Sequence, residues 1–154
     1  MTRDIPKLRS LLETFDAAAG TEERTALLID YAERFREVGP EIATRPFPEE
    51  NKIPYCESEA YVWMRRQEDG TVRLYFAVEN PSGISAKALA AILDRTLSGS
   101  PPEDLLGVSP DIVQRIFRQN ISMGKGLGLT AMVQAVQALA RHHLRAKSPG
   151  RSSL

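Results

Sequence analysis

The sequence predicts an α+β fold in which a small antiparallel sheet packs against helices. Apolar residues recur at helical spacing towards both ends of the chain, whereas two β-prone runs follow one another in the middle. Strands that are clustered in this way, and do not alternate with helices, argue against a doubly wound parallel sheet. The predicted order is α-α-β-β-α-α-α, and a third short strand is considered near residues 51–55.

Two helices are predicted before the strands. The first begins at Pro6, which suits a first helical turn, and ends at Gly20. Thr21 is expected to cap the second helix, and Gly39 to end it. Three prolines between residues 41 and 54 then predict a loop.

The central pair of runs is predicted to be a β-hairpin. Residues 60–66 and 71–78 are the two strands, and Gly70 belongs to the tight turn between them. In the second run apolar and polar residues alternate, so one face of the hairpin is expected to be buried against helices. The apolar face consists of Val72, Leu74, Phe76 and Val78.

The remaining chain returns to helical spacing. A helix is predicted over residues 85–97, a short turn over 102–106, and a helix starting around Pro110. Residues 122–128 contain three glycines and predict a bend, after which a long helix starts at Leu129. We therefore expect one domain over residues 1–146 and a disordered polar tail over 147–154.

Composition excludes several classes of function. The 20 basic and 20 acidic residues cancel, so a surface for nucleic acid is not expected. No apolar run approaches the ~20 residues that span a bilayer, so no membrane partner is expected either. One cysteine cannot form an internal disulfide, and the N-terminal residues lack the apolar core of a signal peptide. These features predict a cytoplasmic protein.

The only cysteine, Cys56, lies in a proline-bounded loop just before the first strand. From the residues alone it is either a packed structural cysteine or a reactive thiol, and composition slightly favours the former. A thiol hydrolase or transferase would need His142 or His143 as its base, and these lie late in the last helix. One cysteine and two adjacent histidines do not make a structural zinc site.

The segment Gly124-Lys125-Gly126-Leu127-Gly128 does not match a phosphate-binding loop. Lys125 is followed by glycine and not by Ser or Thr, and no predicted strand precedes the segment. The start of a helix beside a lysine nevertheless favours an anion, such as a sulfur anion or an acidic group of a partner.

Two motifs make the chain resemble the SufE family, the sulfur acceptors that partner a cysteine desulfurase. One is Ile53-Pro54-Tyr55-Cys56-Glu57-Ser58-Glu59, followed by an apolar-aromatic strand. The other is Gly128-Leu129-Thr130-Ala131-Met132 in the last helix. The order of helices and strands and the chain length also resemble that family.

The resemblance implies a sulfur carrier whose Cys56 accepts persulfide sulfur. The cysteine desulfurase would be one partner, which the carrier stimulates, and an iron–sulfur scaffold complex the next. Pyridoxal phosphate would belong to the desulfurase, so no cofactor and no metal are expected here, and the chain would not act as a stand-alone enzyme. Partner contacts are assigned to Tyr55, Glu57, Ser58, Lys125 and Gly128. The alternative is an adaptor domain without catalysis, in which Cys56 is structural.

The chain departs from the family at two of these positions. Tyr55 takes the place of a glycine before the cysteine, so a bulkier side chain adjoins the thiol. Lys125 takes the place of an arginine, which keeps the charge but loses the two-pronged hydrogen bonding of a guanidinium.

Overall fold

The computed structural model describes the backbone of residues 4–152 and the side chains of residues 4–146. Over this part of the chain the fold is α+β, which confirms the predicted class. In chain order the elements are helices α1 (Pro6–Ala17) and α2 (Thr21–Glu33), strands β1 (Ala60–Arg66) and β2 (Val72–Val78), and helices α3 (Ile84–Leu97), α4 (Pro102–Leu105), α5 (Ile112–Phe117) and α6 (Met123–Ser152). Short 3-10 turns occupy Glu49–Asn51 and Arg118–Asn120.

The hairpin lies where the sequence predicts it. Strands β1 and β2 pair antiparallel from Ala60 opposite Val78 to Arg66 opposite Val72. Gly70 turns the chain with a φ of 89°, a left-handed conformation that glycine adopts without steric cost. The third strand is not formed among the described residues, where residues 51–55 contribute a single isolated bridge, between Lys52 and Tyr61.

One face of the hairpin is buried against helices, which confirms the prediction, and a loop covers the other face. The first face packs into the main core with α1, α3, α5 and α6. The proline-rich loop folds over the second face, where the Phe47 ring lies 5.2 Å from that of Tyr61 and 5.3 Å from that of Trp63. This second cluster consists of Val38, Phe47, Tyr61, Trp63 and Ala77.

Helix α2 ends at Glu33, and the predicted end at Gly39 is wrong. The backbone N–H of Val38 donates to the carbonyl of Phe76 at 2.8 Å, and Glu37 forms a bridge with the same strand. The open edge of β2 therefore takes up backbone groups that the helix would otherwise satisfy.

Two helix starts also differ from their predictions. Gly20 occupies the position before α2, and Thr21 makes no capping bond there. The Glu23 carboxylate instead accepts the N–H of Ala19 at 2.7 Å. Helix α5 starts at Ile112, later than predicted, because the residues before it close tighter three-residue turns.

The prediction of a bend at residues 122–128 is wrong, because the three glycines of this segment lie in the first turns of α6. Ser122 caps the helix: its Oγ accepts the N–H of Lys125 at 3.3 Å, and its carbonyl accepts that of Gly126 at 3.0 Å. Burial further along anchors the helix and outweighs the low helix propensity of glycine. The buried anchors are Leu129, Met132, Val133, Val136 and Ala140.

Arg24 joins three helices at one end of the core. Only 3% of this residue is exposed, and its guanidinium donates to the carbonyls of Phe15 at 2.8 Å, Ile116 at 2.9 Å and Arg115 at 3.1 Å. These carbonyls belong to the last turns of α1 and α5, where a cation is favoured. Burial lowers the pKa of Arg24, and the charge of Arg118 adds to this effect. We call this contact set the Arg24 joint.

The predicted domain boundary after residue 146 and the disordered tail at 147–154 stay predictions. Side chains beyond residue 146, and residues 153–154 altogether, lie outside the described residues. Within the described chain, no helix combines the length and the apolar character that crossing a bilayer requires.

Candidate functional site

Cys56 lies at the centre of a short loop, residues 53–59, which we call the Cys56 loop. The N–H of Ile53 donates to the carbonyl of Ala60 at 2.8 Å and closes the base of this loop. Inside it, the N–H of Glu59 donates to the carbonyl of Cys56 at 3.1 Å. The thiol is free and half-buried, and it packs against the main core.

Two residues of the loop have left-handed backbone conformations. Tyr55 has a φ of 64° and Glu59 a φ of 53°. Such a conformation costs a residue with a Cβ atom roughly 1–2 kcal/mol. In the family that this chain resembles, glycine occupies this position and would adopt the conformation freely. Tyr55 keeps the same conformation although it has a Cβ atom.

The turn after β2 holds the loop from one side. Because Ala60 pairs with Val78, residues before β1 lie beside residues after β2. The N–H of Asn80 donates to the carbonyl of Ser58 at 3.2 Å. Gly83 comes so close that a Cβ on it would lie 2.6 Å from the Ser58 hydroxyl oxygen.

Helix α6 holds the loop from the other side, and Gly128 is the point of contact. A Cβ at this position would lie 2.7 Å from the carbonyl oxygen of Tyr55 and 3.0 Å from the Cα of Cys56. Both obstructing atoms are backbone, so no side chain can rotate away to make room. The Cys56 loop can thus rest on α6 only because residue 128 is glycine.

A cavity of about 300 Å³ opens beside the thiol, and we call it the Cys56 cavity. All six residues singled out from the sequence line it: Tyr55, Cys56, Glu57, Ser58, Lys125 and Gly128. The fold brings together two segments about 70 residues apart in the chain. The partner-binding roles of these residues stay predictions.

A further part of the cavity wall was not predicted from the sequence. It comes from the turn after β2 and the first turn of α3: Asn80, Ser82, Gly83, Ile84, Ser85 and Ala86. The hairpin register is the signal that indicates them, since it places the residues flanking the two strands side by side. Leu129 of α6 completes the lining.

Two charged side chains line the cavity, Lys125 and Glu57, and the start of α6 favours an anion on the Lys125 side. Lys125 lies in the first turn of α6, where the helix dipole and the ammonium group act together. Lys52 pairs with Glu59 across the loop, with 3.9 Å between nitrogen and oxygen. Among the described side chains, no three His, Cys, Asp or Glu are grouped as a metal site requires. The nucleophilic group on the cavity wall is the free thiol of Cys56.

Neither histidine serves Cys56 as a base. The Nε2 of His143 lies 3.2 Å from the carbonyl oxygen of Met64, at the far end of β1. At about 1.5 Å per residue, roughly 20 Å of α6 separates His142 and His143 from the loop contact at Gly128. The thiol hydrolase hypothesis therefore fails on geometry.

Known proteins resemble this chain in sequence and in fold. A family model described as "SufE: Fe-S metabolism associated domain" matches residues 9–140. SufE-like protein 1 of Arabidopsis thaliana, named as chloroplastic/mitochondrial, is 28% identical over 138 residues, which are 89% of this chain and 35% of that protein. The chain thus spans about a third of the length of that relative. The cytoplasmic location predicted here stays a prediction.

The fold comparison agrees with the sequence comparison. A solution structure of a hypothetical protein from Thermus thermophilus matches with a TM-score of 0.75 and 28% identity, covering 94% of this chain and 99% of that one. The family match extends from α1 into α6 and includes the Cys56 loop and the hairpin. The chain therefore belongs to the SufE family of Fe–S metabolism associated domains.

Proposed function

We propose that this chain is a sulfur carrier that accepts persulfide sulfur on Cys56 and passes it on for iron–sulfur cluster assembly. The observation that carries the proposal is the position of the lone thiol, on the wall of an open cavity beside Lys125 and the start of α6. Family membership ties the domain to Fe–S metabolism, in which sulfur has to be supplied in a reactive form.

The proposed step is an exchange between a thiolate and a persulfide. The Cys56 thiolate attacks the outer sulfur of a donor persulfide, R–S–SH. The bond between the two donor sulfurs breaks, and R–S⁻ leaves with the electron pair and takes up a proton from water. The product is Cys56–S–SH, and nothing is oxidised or reduced overall.

The absence of a second cysteine from the sequence suits a carrier. A neighbouring thiol would attack the persulfide and discharge its sulfur, leaving a disulfide. Cys56 is the only cysteine in the 154 residues, so this internal loss does not occur. Half-burial of the residue further restricts the access of solvent thiols.

The donor in this proposal is a pyridoxal-phosphate-dependent cysteine desulfurase, and the recipient is an iron–sulfur scaffold complex. The cofactor belongs to the desulfurase, whose active cysteine holds the persulfide. When Cys56 takes the sulfur, the desulfurase cysteine is free for its next turnover. The chain is then a carrier that stimulates its donor, and not a stand-alone enzyme.

Mass spectrometry of the Cys56 peptide tests this function. The protein is mixed with a cysteine desulfurase and L-cysteine, and separately with glutathione persulfide, a small donor. We expect the peptide to gain the mass of one sulfur atom from both donors, and alanine production by the desulfurase to rise. A Cys56→Ser variant serves as the control and should show neither effect.

The alternative is an adaptor in which Cys56 only packs against the core. Its half-burial and its contacts with the main core favour this reading. An adaptor would leave Cys56 unmodified by both donors and alanine production unchanged. That result, or sulfur uptake by Cys56→Ser equal to that of the unmodified sequence, would overturn the proposed function.

A further inference from the structure

We infer that Tyr55 is the docking residue through which a protein persulfide donor is recognised, and that a groove along α6 receives a segment of the same donor. This inference rests on the proposed function of Cys56. It adds the surface by which a protein donor is distinguished from a small persulfide.

Tyr55 has an unfavourable backbone conformation and an exposed side chain, and the stability of the fold explains neither. Its φ of 64° lies in the region that is unfavourable for a residue with a Cβ atom. Its side chain is 78% exposed, so it contributes little to the core. Strained residues persist where the surrounding structure holds them, and they cluster at functional sites. Tyrosine is also among the residue types that most often dominate binding energy at interfaces.

The position of Tyr55 connects the thiol to a larger surface. It lines the Cys56 cavity, a second cavity on the other side of the loop, and the groove along α6. The carbonyl of Tyr55 rests on Gly128, which ties the residue to the start of α6. Tyr55 thus lines both the cavity that holds the reacting thiol and the groove along α6.

The groove, which we call the α6 groove, has a volume of about 680 Å³ and lies between residues 50–55 and α6. Its apolar lining consists of Pro54, Val62, Ala131, Ala135, Ala138 and Leu139. Leu127 lies one helical turn before Ala131 on the same face of α6 and is 62% exposed, so it extends this apolar strip towards the Cys56 loop. Lys52, Glu50 and Arg141 are the charged residues of the groove, and Lys52 already pairs with Glu59. Arg141 therefore offers the cation for an apolar segment that carries a carboxylate.

The donor is the occupant because of where its sulfur has to go. A protein persulfide must bring its outer sulfur into contact with Cys56, so the donor must cover the Cys56 cavity. Tyr55 forms part of that rim and of the adjoining groove, so a covering donor meets both. A small persulfide enters the cavity without touching the groove.

Replacing Tyr55 tests whether a protein donor depends on this residue more than a small persulfide does. With a cysteine desulfurase and L-cysteine as donor, Tyr55→Gly should raise the carrier concentration for half-maximal sulfur transfer by about tenfold, as the loss of an interface anchor does. Tyr55→Phe should restore transfer. Loading from glutathione persulfide should fall by a much smaller factor than transfer from the desulfurase, because the small donor does not reach the groove. The Tm of Tyr55→Gly should be equal or higher, because glycine relieves the left-handed strain.

Two further variants test the groove. Ala135→Glu puts a carboxylate on the groove lining and should weaken transfer from the desulfurase as Tyr55→Gly does. Ile29→Glu changes an exposed apolar residue on α2, 42% exposed and away from the site, and should have no effect.

The outcomes separate this inference from the proposed function. Desulfurase-dependent loading of Tyr55→Gly equal to that of the unmodified protein would overturn the role of Tyr55. Equal loading of Ala135→Glu would overturn the role of the groove. If the unmodified protein takes sulfur from neither donor, the proposed function fails and this inference fails with it.

Discussion

The Arg24 joint and the Cys56 loop are both places where segments distant in sequence meet, and they are held together differently. At the Arg24 joint one buried cation satisfies three backbone carbonyls, at distances of 2.8 to 3.1 Å. At the Cys56 loop the backbone lies directly against Gly128, and two residues with side chains, Tyr55 and Glu59, keep left-handed conformations.

The difference separates stability from function. A buried polar group that has all its partners stabilises the fold, and removing it leaves those partners unsatisfied. In the Cys56 loop the two strained residues and the exposed ring of Tyr55 do not stabilise the fold in this way, and they flank the thiol. Changes at the joint should therefore affect unfolding and spare the thiol, whereas changes at the loop should do the reverse.

The largest effect on stability is expected from Arg24→Met. The substitution keeps an apolar side chain of similar length but removes the Arg24 donor from three carbonyls, of which that of Phe15 still accepts the N–H of Ala18 at 3.2 Å. The free energy of unfolding should therefore fall by about 3 kcal/mol. Urea unfolding measures this loss. Iodoacetamide should alkylate Cys56 in the folded variant at the unmodified rate, since the thiol is held by other contacts.

Arg34→Ala is the matched control for that prediction. Arg34 forms an exposed ion pair with Asp30 at 2.9 Å on the surface of α2, and such pairs contribute about 0.5 kcal/mol or less. An equal loss of stability in both variants would show that the buried hydrogen bonds of Arg24 do not matter.

A pair of glycine substitutions in α6 tests the loop. At Gly124 a Cβ would meet no atom within 4 Å, so Gly124→Ala should stabilise the protein by up to about 1 kcal/mol through helix propensity. Gly128→Ala should show no such gain, because its Cβ displaces the backbone of Tyr55 and Cys56. Alkylation of Cys56 should become several-fold faster in Gly128→Ala alone, a rough size for partial release of the loop.

Equal stabilisation by both substitutions, with unchanged alkylation of Cys56, would contradict the close contact between the loop and α6. The comparison needs no partner protein. It therefore tests the geometry of the site separately from its function.

The smallest effect is a pH dependence beside the Arg24 joint. The hydrogen bond from Arg115 to Asp16, at 2.6 Å, holds the pKa of Asp16 below its ordinary value of 3.8, and the charges of Arg115 and Arg118 act in the same direction. Because the folded-state pKa is the lower one, this carboxylate stabilises the fold above pH 3.8 and loses its contribution as the pH falls below that value.

Asp16→Asn should remove this part of the acid sensitivity. Urea midpoints measured at about pH 6 and about pH 3 should then differ less in the variant than in the unmodified protein. The effect is small because Asp16 is exposed. An unchanged difference between the two midpoints would show that this ion pair does not contribute.

The hairpin and most helices were predictable because their signals are local. The β-prone run at residues 60–66 and the alternation after Gly70 predict the strands, and the bounds agree almost residue for residue. The errors arose where contacts with distant parts of the chain outweighed the local signal. Helix α2 ends early because Val38 pairs with β2, and the glycines near Lys125 become helical because α6 is anchored in the core.

For the site, the sequence alone singled out Cys56 as the one thiol and left its role open. The resemblance to a family added the Tyr55 to Ser58 segment, Lys125 and Gly128, and the structure brings these together around one cavity. The wall contributed by residues 80–86 was missed, although the hairpin register indicates it.

The sequence by itself determined the fold class, the hairpin and the presence of a single thiol, since apolar periodicity and cysteine count are properties of short stretches and of composition. Only the tertiary structure decided that Arg24 bonds carbonyls 91 and 92 residues away, and that Gly128 supports the Cys56 loop. The left-handed backbone of Tyr55 belongs to this second group. Such features depend on which backbone atoms come into contact after folding, and neither the periodicity nor the composition of the sequence predicts those contacts.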